Sequence, residues 1–217
     1  MNTGWLLFSI IVILSSLTVL WFFQMRRLLI RRMRLVIGLL ERVLRPRDQE
    51  YTLLGYLVGF RAVYKLRSDK VPRAWALYMI PPHHVLLYVP VILLAGKKER
   101  LELTFRLSRP PGGEAHIYDP GDRATRRSVK IDLAKYRGRL YEREIEIQGR
   151  TYKAIYSNEE TLKLAHKVLS ELASLVDVKR VTIASRVSAF HVAFIPQIGV
   201  LEEALNRIMS QAYRLAR

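Results

Sequence analysis

The sequence predicts an α+β protein: a single N-terminal transmembrane helix extended into a juxtamembrane helix, then a cytoplasmic domain with an antiparallel or mixed sheet packed by helices. Three observations predict it. Gly4 to Phe23 is an apolar run without a charged residue, and about 20 helical residues cross a hydrocarbon core of about 30 Å. From Met25 to Leu44 apolar residues continue at helical spacing, now with arginines between them. Beyond Arg45, short segments alternate with period two between Gly- and Pro-bearing turns, and two longer segments repeat with helical period.

The first run reads as a membrane anchor. Its polar side chains Ser9, Ser15, Ser16 and Thr18 can bond back to helix carbonyls, and Trp5 and Trp21 stand near its two ends, where an amphipathic ring suits headgroup depth. A cleaved signal peptide carries charge before its apolar core and small residues at the cleavage site. Here no charge precedes the run, and Trp21, Phe22 and Phe23 occupy the cleavage position. Arg26, Arg27, Arg31, Arg32 and Arg34 follow directly. Positive flanks stay in the cytoplasm, so the N-terminus is expected outside the cell membrane and the domain inside. The division expected is 1–24 anchor, 25–47 basic juxtamembrane helix and 48–217 cytoplasmic domain.

Leu29, Met33, Val36, Leu40, Val43 and Leu44 form one side of that second stretch. With no proline before Pro46, one nearly continuous helix is expected from Trp5 to Leu44. Its arginines suit a topology signal with anionic headgroups, or a ribosomal RNA contact. Half the chain is apolar, which argues against wholesale disorder, and the net charge is +17. A basic domain held at a bilayer has three acidic partner classes: anionic lipid, RNA and acidic protein. Cysteine is absent, which excludes disulfides, Cys-based zinc sites and thiol chemistry.

Arg45 to Glu50 reads as a polar linker, and Tyr51 to Ser68 as strand structure bent at Gly55 and Gly59. Pro72 suits the first turn of a short helix ending near Ile80. Ala74 to Gly96 has no Asp, Glu, Lys or Arg, but Pro81, Pro82, His83 and His84 at its centre argue against a second span. Val85 to Leu94 then reads as a strand buried on both faces; an apolar surface left open near the membrane is the other reading. Leu101 to Leu107 alternates as a half-buried strand, and Arg109 to Arg127 is a long loop with a short strand at Ala115 to Tyr118. Val129, Ile131 and Leu133 suggest another strand, and Leu140–Ile147 with Thr151–Tyr156 a hairpin. Ser157 or Asn158 caps a helix with Leu162, Leu164, Ala165, Val168, Leu169, Leu172 and Leu175 inward. Val181–Val187 and Ala189–Ile195 read as strands, and Gly199–Arg217 as a last helix with Leu201, Leu205, Ile208 and Ala212 inward.

No catalytic constellation emerges: no P-loop, dinucleotide fingerprint, nucleophile elbow or H-E-x-x-H. Adjacent His83 and His84 would point to opposite sides of a strand, and His116, His166 and His191 stand alone in the sequence. No cofactor, metal or small-molecule substrate is expected. Two basic groups stand out beyond the helix: Lys65, Arg67, Lys70 and Arg73, and Arg123, Arg126, Arg127 and Lys130. Each reads either as a solvated surface or as a dock for an acidic partner, lipid or RNA.

The order of elements resembles the calumin family, the coiled-coil-domain subunit of the PAT complex in the multipass translocon. The resemblance rests on an N-out span leading into a basic helix, the step Tyr51-Thr52-Leu53-Leu54-Gly55, the Gly59–Arg67 strand, Trp75–Pro81, and the basic C-terminal helix Leu201–Arg217. It covers roughly residues 5–217 through spaced, degenerate positions. Calumin carries an acidic lumenal region where few residues precede the span here, and a charged coiled coil beyond the point where this sequence stops. A short prokaryotic, archaeal relative would differ in these ways. The resemblance implies a non-enzymatic, translocon- or ribosome-associated factor assisting membrane-protein insertion, a chaperone beside SecY, a YidC-like insertase and the ribosome. The alternative is an anionic-lipid-binding membrane scaffold.

Overall fold

The computed structural model describes residues 3–134, 136 and 138–216. Helix α1 (Thr3–Leu44) runs unbroken through 42 residues, about 63 Å at 1.5 Å per residue. In its first half Ser9, Ser16 and Thr18 return their hydroxyls to the carbonyls four residues back, and none of its most apolar stretch is buried in protein. In its second half Leu29, Met33, Val36, Leu40 and Leu44 are buried. Arg45 then takes a left-handed φ of 43°, and its N–H still reaches the Glu41 carbonyl at 2.9 Å. Pro46 prevents continuation.

The described residues beyond α1 build one nine-stranded sheet in the order β1-β2-β3-β4-β9-β8-β5-β7-β6, every pair antiparallel. The strands are β1 (Asp48–Leu53), β2 (Gly59–Lys65), β3 (Arg73–Met79), β4 (Arg100–Arg106), β5 (Ala115–Tyr118), β6 (Tyr141–Ile147), β7 (Arg150–Tyr156), β8 (Asp177–Ala184) and β9 (Ala189–Ile195). Helices α4 (Glu159–Ala173) and α5 (Ile198–Leu215) cover one face together with the second half of α1. Between them lies a core that includes Phe60, Tyr64, Tyr78, Phe105, Phe190 and Phe194. Asn158 caps α4 by accepting from the Thr161 N–H at 2.8 Å, and Glu159 and Glu160 sit in its first turn, where the helix dipole favours negative charge. On the opposite face, among the described residues, helix α3 (Arg123–Leu133) packs against β5.

The α+β class, the continuous first helix, the β6–β7 hairpin and both C-terminal helices match the sequence reading. Five local readings are corrected. Arg73–Met79 is a strand, not a helix: Ala74, Ala76 and Tyr78 point into the core while Trp75 and Leu77 point away. Val85–Leu94 is no buried strand. It forms a 3-10 turn over Leu86–Tyr88 and the short helix α2 (Val89–Leu94), with Pro90 in the first turn and only Ile92 buried. Val129, Ile131 and Leu133 belong to α3, started by Asp122, whose carboxylate accepts from the Ala124 and Thr125 N–H groups. The linker is shorter than expected, because β1 already begins at Asp48. Leu164, expected inward, is exposed.

Candidate functional site

The register fixes two ends of the sheet. Gly59, Met79 and Arg100 align at one, and Lys65, Arg73 and Arg106 at the other. Seven residues at about 3.3 Å each separate them by about 20 Å.

The first end meets α1 where its apolar run finishes. The Trp21 indole N–H donates to the His83 carbonyl at 2.8 Å. Phe22 stacks on Tyr56 with ring centroids 5.9 Å apart and meets His84 edge-on at 6.0 Å. Burial lowers the His84 imidazole pKa, with His83 adding to the effect. Around this junction Leu53, Tyr56, Val85, Leu87, Val91, Leu93 and Leu94 are exposed, Leu93 by 71% and Leu94 by 89%. The same segment returns to α1 lower down, where Glu99 binds Arg32 at 2.8 Å and accepts from the Tyr78 hydroxyl at 2.8 Å. That pairing removes Arg32 from the free cations of the helix. Burial opposes its charge, but Glu99 and Tyr78 leave its pKa raised. Arg26, Arg27, Arg31 and Arg34 remain exposed. Trp5, at the far end of the helix, is 70% exposed and packs edge-on against Phe8 at 6.3 Å.

The second end is basic. Arg67 and Lys70 lie in the β2–β3 turn, Lys65 pairs with Asp48 at 2.7 Å, and Arg73 stands directly opposite Arg106. The Leu107 N–H donates to Ser188 at 2.7 Å and the Ser108 N–H to Lys70 at 2.8 Å. These bonds bring the β8–β9 turn, with Arg186, and the start of the loop holding Arg109 to the same end. Sequence reading found Lys65, Arg67, Lys70 and Arg73, but not Arg106, Arg109 and Arg186, which only strand pairing gathers. On the face away from the core, α3 exposes Arg123, Arg126, Arg127 and Lys130, with Arg126 reaching the Pro120 carbonyl at 3.5 Å.

Beneath α3 a row of polar side chains crosses the sheet. His116 pairs with Thr182 on β8, Thr182 with His191 on β9, and His191 with Thr104 on β4. Arg180, 4% exposed, binds Asp132 of α3 at 2.6 Å, Ser128 at 2.9 Å and Thr182 at 2.7 Å. His116 has Glu114 at 3.1 Å on Nε2, and Thr182 and Arg180 at 3.2 and 3.3 Å on Nδ1. Both its ring nitrogens are therefore committed inside the fold. Burial, with Arg180, Arg100 and His116 nearby, pushes the His191 pKa down to about 3. His116 and His191, which stand apart in sequence, thus share a structural network that ties α3 to the sheet. At the edge of α3 a groove of about 930 Å³ has Met79, Ile80 and Leu94 among its walls, with Lys98, Arg100 and Arg123 on its polar side. Arg100 is held there by Asp122 at 2.6 Å. Among the described residues no group of three His, Asp or Glu is placed to hold a metal ion. Comparison with protein-family models and with curated proteins gives no match.

Proposed function

We propose that the protein is a single-pass membrane-anchored, non-enzymatic factor that bridges the bilayer to an acidic cytoplasmic partner, in the setting of membrane-protein insertion at the translocon and ribosome. One observation carries the reading: the domain is polarised along α1. Its apolar end packs on Trp21 and Phe22, where the uncharged run closes, and its basic end lies a strand's length further on. The run is long and apolar enough to cross a bilayer, and the arginines behind it favour an N-terminus outside and a domain inside the cell. The distal cluster is then presented away from the membrane, where ribosomal RNA, SecY or a YidC-like insertase is the fitting partner, as the calumin resemblance implies.

Detergent-solubilised full-length protein mixed with ribosomes and sedimented across a salt series tests this. Co-sedimentation at low salt that falls steeply with added salt is expected. The double variant Arg73→Glu with Arg106→Glu should reduce it while leaving the fold intact, since both side chains are exposed. No co-sedimentation at the lowest salt overturns the ribosome reading. A second reading, an anionic-lipid scaffold, is favoured by the exposed Arg26, Arg27, Arg31 and Arg34 at the foot of the apolar run. Each would add about 1 kcal/mol of attraction to an anionic leaflet.

A further inference from the structure

We propose that the segment Val85–Leu94, with the turn at Tyr56 beside it, is a second membrane contact: an interfacial element that seats its exposed apolar side chains in the leaflet flanking α1. The inference rests on the membrane-anchored reading above and deepens it.

Depth along α1 supplies the argument. If the run Gly4 to Phe23 fills the hydrocarbon core, Trp21 lies at its cytoplasmic boundary. The hydrogen bond from Trp21 to His83 places the start of the segment at that level. The Glu99–Arg32 pair, five residues past the segment's end, brings the chain back to the helix eleven residues further along, about 16 Å at 1.5 Å per residue. The chain therefore leaves α1 at the bilayer boundary and returns below the headgroups, with the segment between. Between those points Leu87, Leu93 and Leu94 are 78%, 71% and 89% exposed. Short helices with one apolar side bury it about 5–10 Å into the headgroup and acyl boundary. The charge pattern agrees. Val85–Leu94 has no ionisable group but the Tyr88 phenol, and Lys97 and Lys98 follow after Ala95 and Gly96. Lys97 folds back onto Tyr88, its amine 3.1 Å from the hydroxyl, which leaves Lys98 for lipid phosphate. Tyr56, 56% exposed, stacks on Phe22 and continues the apolar surface on the other side of the junction. The occupant is the lipid leaflet, because the surface is continuous with a helix whose own side chains are exposed in the same way.

The absence of cysteine allows single labels in the full-length protein. Leu87→Cys, Leu93→Cys, Leu14→Cys and Val187→Cys, each carrying an environment-sensitive fluorophore, are reconstituted into phosphatidylcholine vesicles containing anionic lipid. Quenching is read with nitroxides at shallow and deep acyl positions. All four side chains are exposed, so the labels leave the core untouched. Expected are deep quenching at Leu14, blue-shifted emission with preferential shallow quenching at Leu87 and Leu93, and none at Val187. Quenching at Leu14 without quenching at Leu87 and Leu93 overturns the inference and leaves the anchor standing. Blue-shifted emission at Leu93 without lipid quenching does the same and points to a protein on this surface. No quenching at Leu14 overturns the anchored reading and this inference together.

Discussion

The Trp21 indole N–H and the His83 carbonyl meet at 2.8 Å across 62 residues of sequence. This bond pins the loop after β3 to the apolar helix, and with Phe22 on Tyr56 it sets the angle at which the domain meets α1. Trp21→Phe keeps an aromatic ring but removes the donor, leaving a half-buried carbonyl unpaired. A loss of about 1 kcal/mol in local stability is expected. Amide hydrogen exchange in residues 83–88 should then accelerate about fivefold, with α4 and α5 unchanged. Unchanged exchange in that segment would show that the bond does not hold the loop.

Gly59 opens β2 at φ 137°, and a Cβ there would stand 1.9 Å from the Tyr78 carbonyl oxygen. Backbone cannot give way on that scale without breaking the β2–β3 ladder. Gly59→Ala should cost more than about 3 kcal/mol, in the range reserved for severe packing conflicts. Gly149, in the β6–β7 turn at φ 72°, has nothing within 4 Å of its would-be Cβ. Gly149→Ala meets only the left-handed penalty, about 1–2 kcal/mol. Denaturant midpoints of the two variants in detergent separate collision from conformation; equal losses would contradict the assignment.

Local signals made much of this fold legible before the structure. Leu29, Met33, Val36 and Leu40 announce the docked side of α1 by spacing alone, and Glu159 and Glu160 after Asn158 announce the start of α4. The misread elements have physical causes. In β3 the inward residues Ala74 and Ala76 are as apolar as the outward Trp75 and Leu77, so the period of two is hidden. In α3 the buried pair is Thr125 and Val129, four apart, whereas Val129, Ile131 and Leu133 suggest a strand. The arginines of α1 were visible as a block because they are local. The distal basic end was half visible, since Arg106 reaches Arg73 only through the β3–β4 register.

Arg180 and Asp132 form an unequal pair: the arginine side chain is 4% exposed and the aspartate 46%. Removing the aspartate strands a buried charge, while removing the arginine frees a carboxylate that water can reach. Asp132→Asn should therefore cost about 3 kcal/mol. Arg180→Met, which keeps much of the volume, should cost less, about 1–2 kcal/mol from the lost charged hydrogen bonds. Guanidinium titrations of the solubilised protein would show the order; a larger loss for Arg180→Met would mean that its bonds to Ser128 and Thr182 outweigh the ion pair.

His191 ties stability to pH. Its imidazole, facing Arg180, Arg100, His116 and Glu102, titrates near 3 in the fold instead of 6.5, chiefly through burial. Between those values the unfolded chain holds a proton that the folded chain does not. Stability therefore rises with pH across the window and is lost on acidification from 6.5 towards 3, at up to about 1.4 kcal/mol per pH unit. Asp122 adds to the loss only lower down. Burial opposes its charge, but Thr125 and Arg100 outweigh burial and keep its pKa below 3.8, so its contribution disappears as pH falls through that lowered value. His191→Gln keeps a partner for the Thr104 hydroxyl, 2.9 Å away, and removes the titrating group. Denaturant midpoints at pH 7, 6 and 5 should fall for the native protein and fall less for His191→Gln, in which His84, also lowered by burial, still takes up a proton on unfolding. Parallel slopes for the two would place the proton uptake elsewhere.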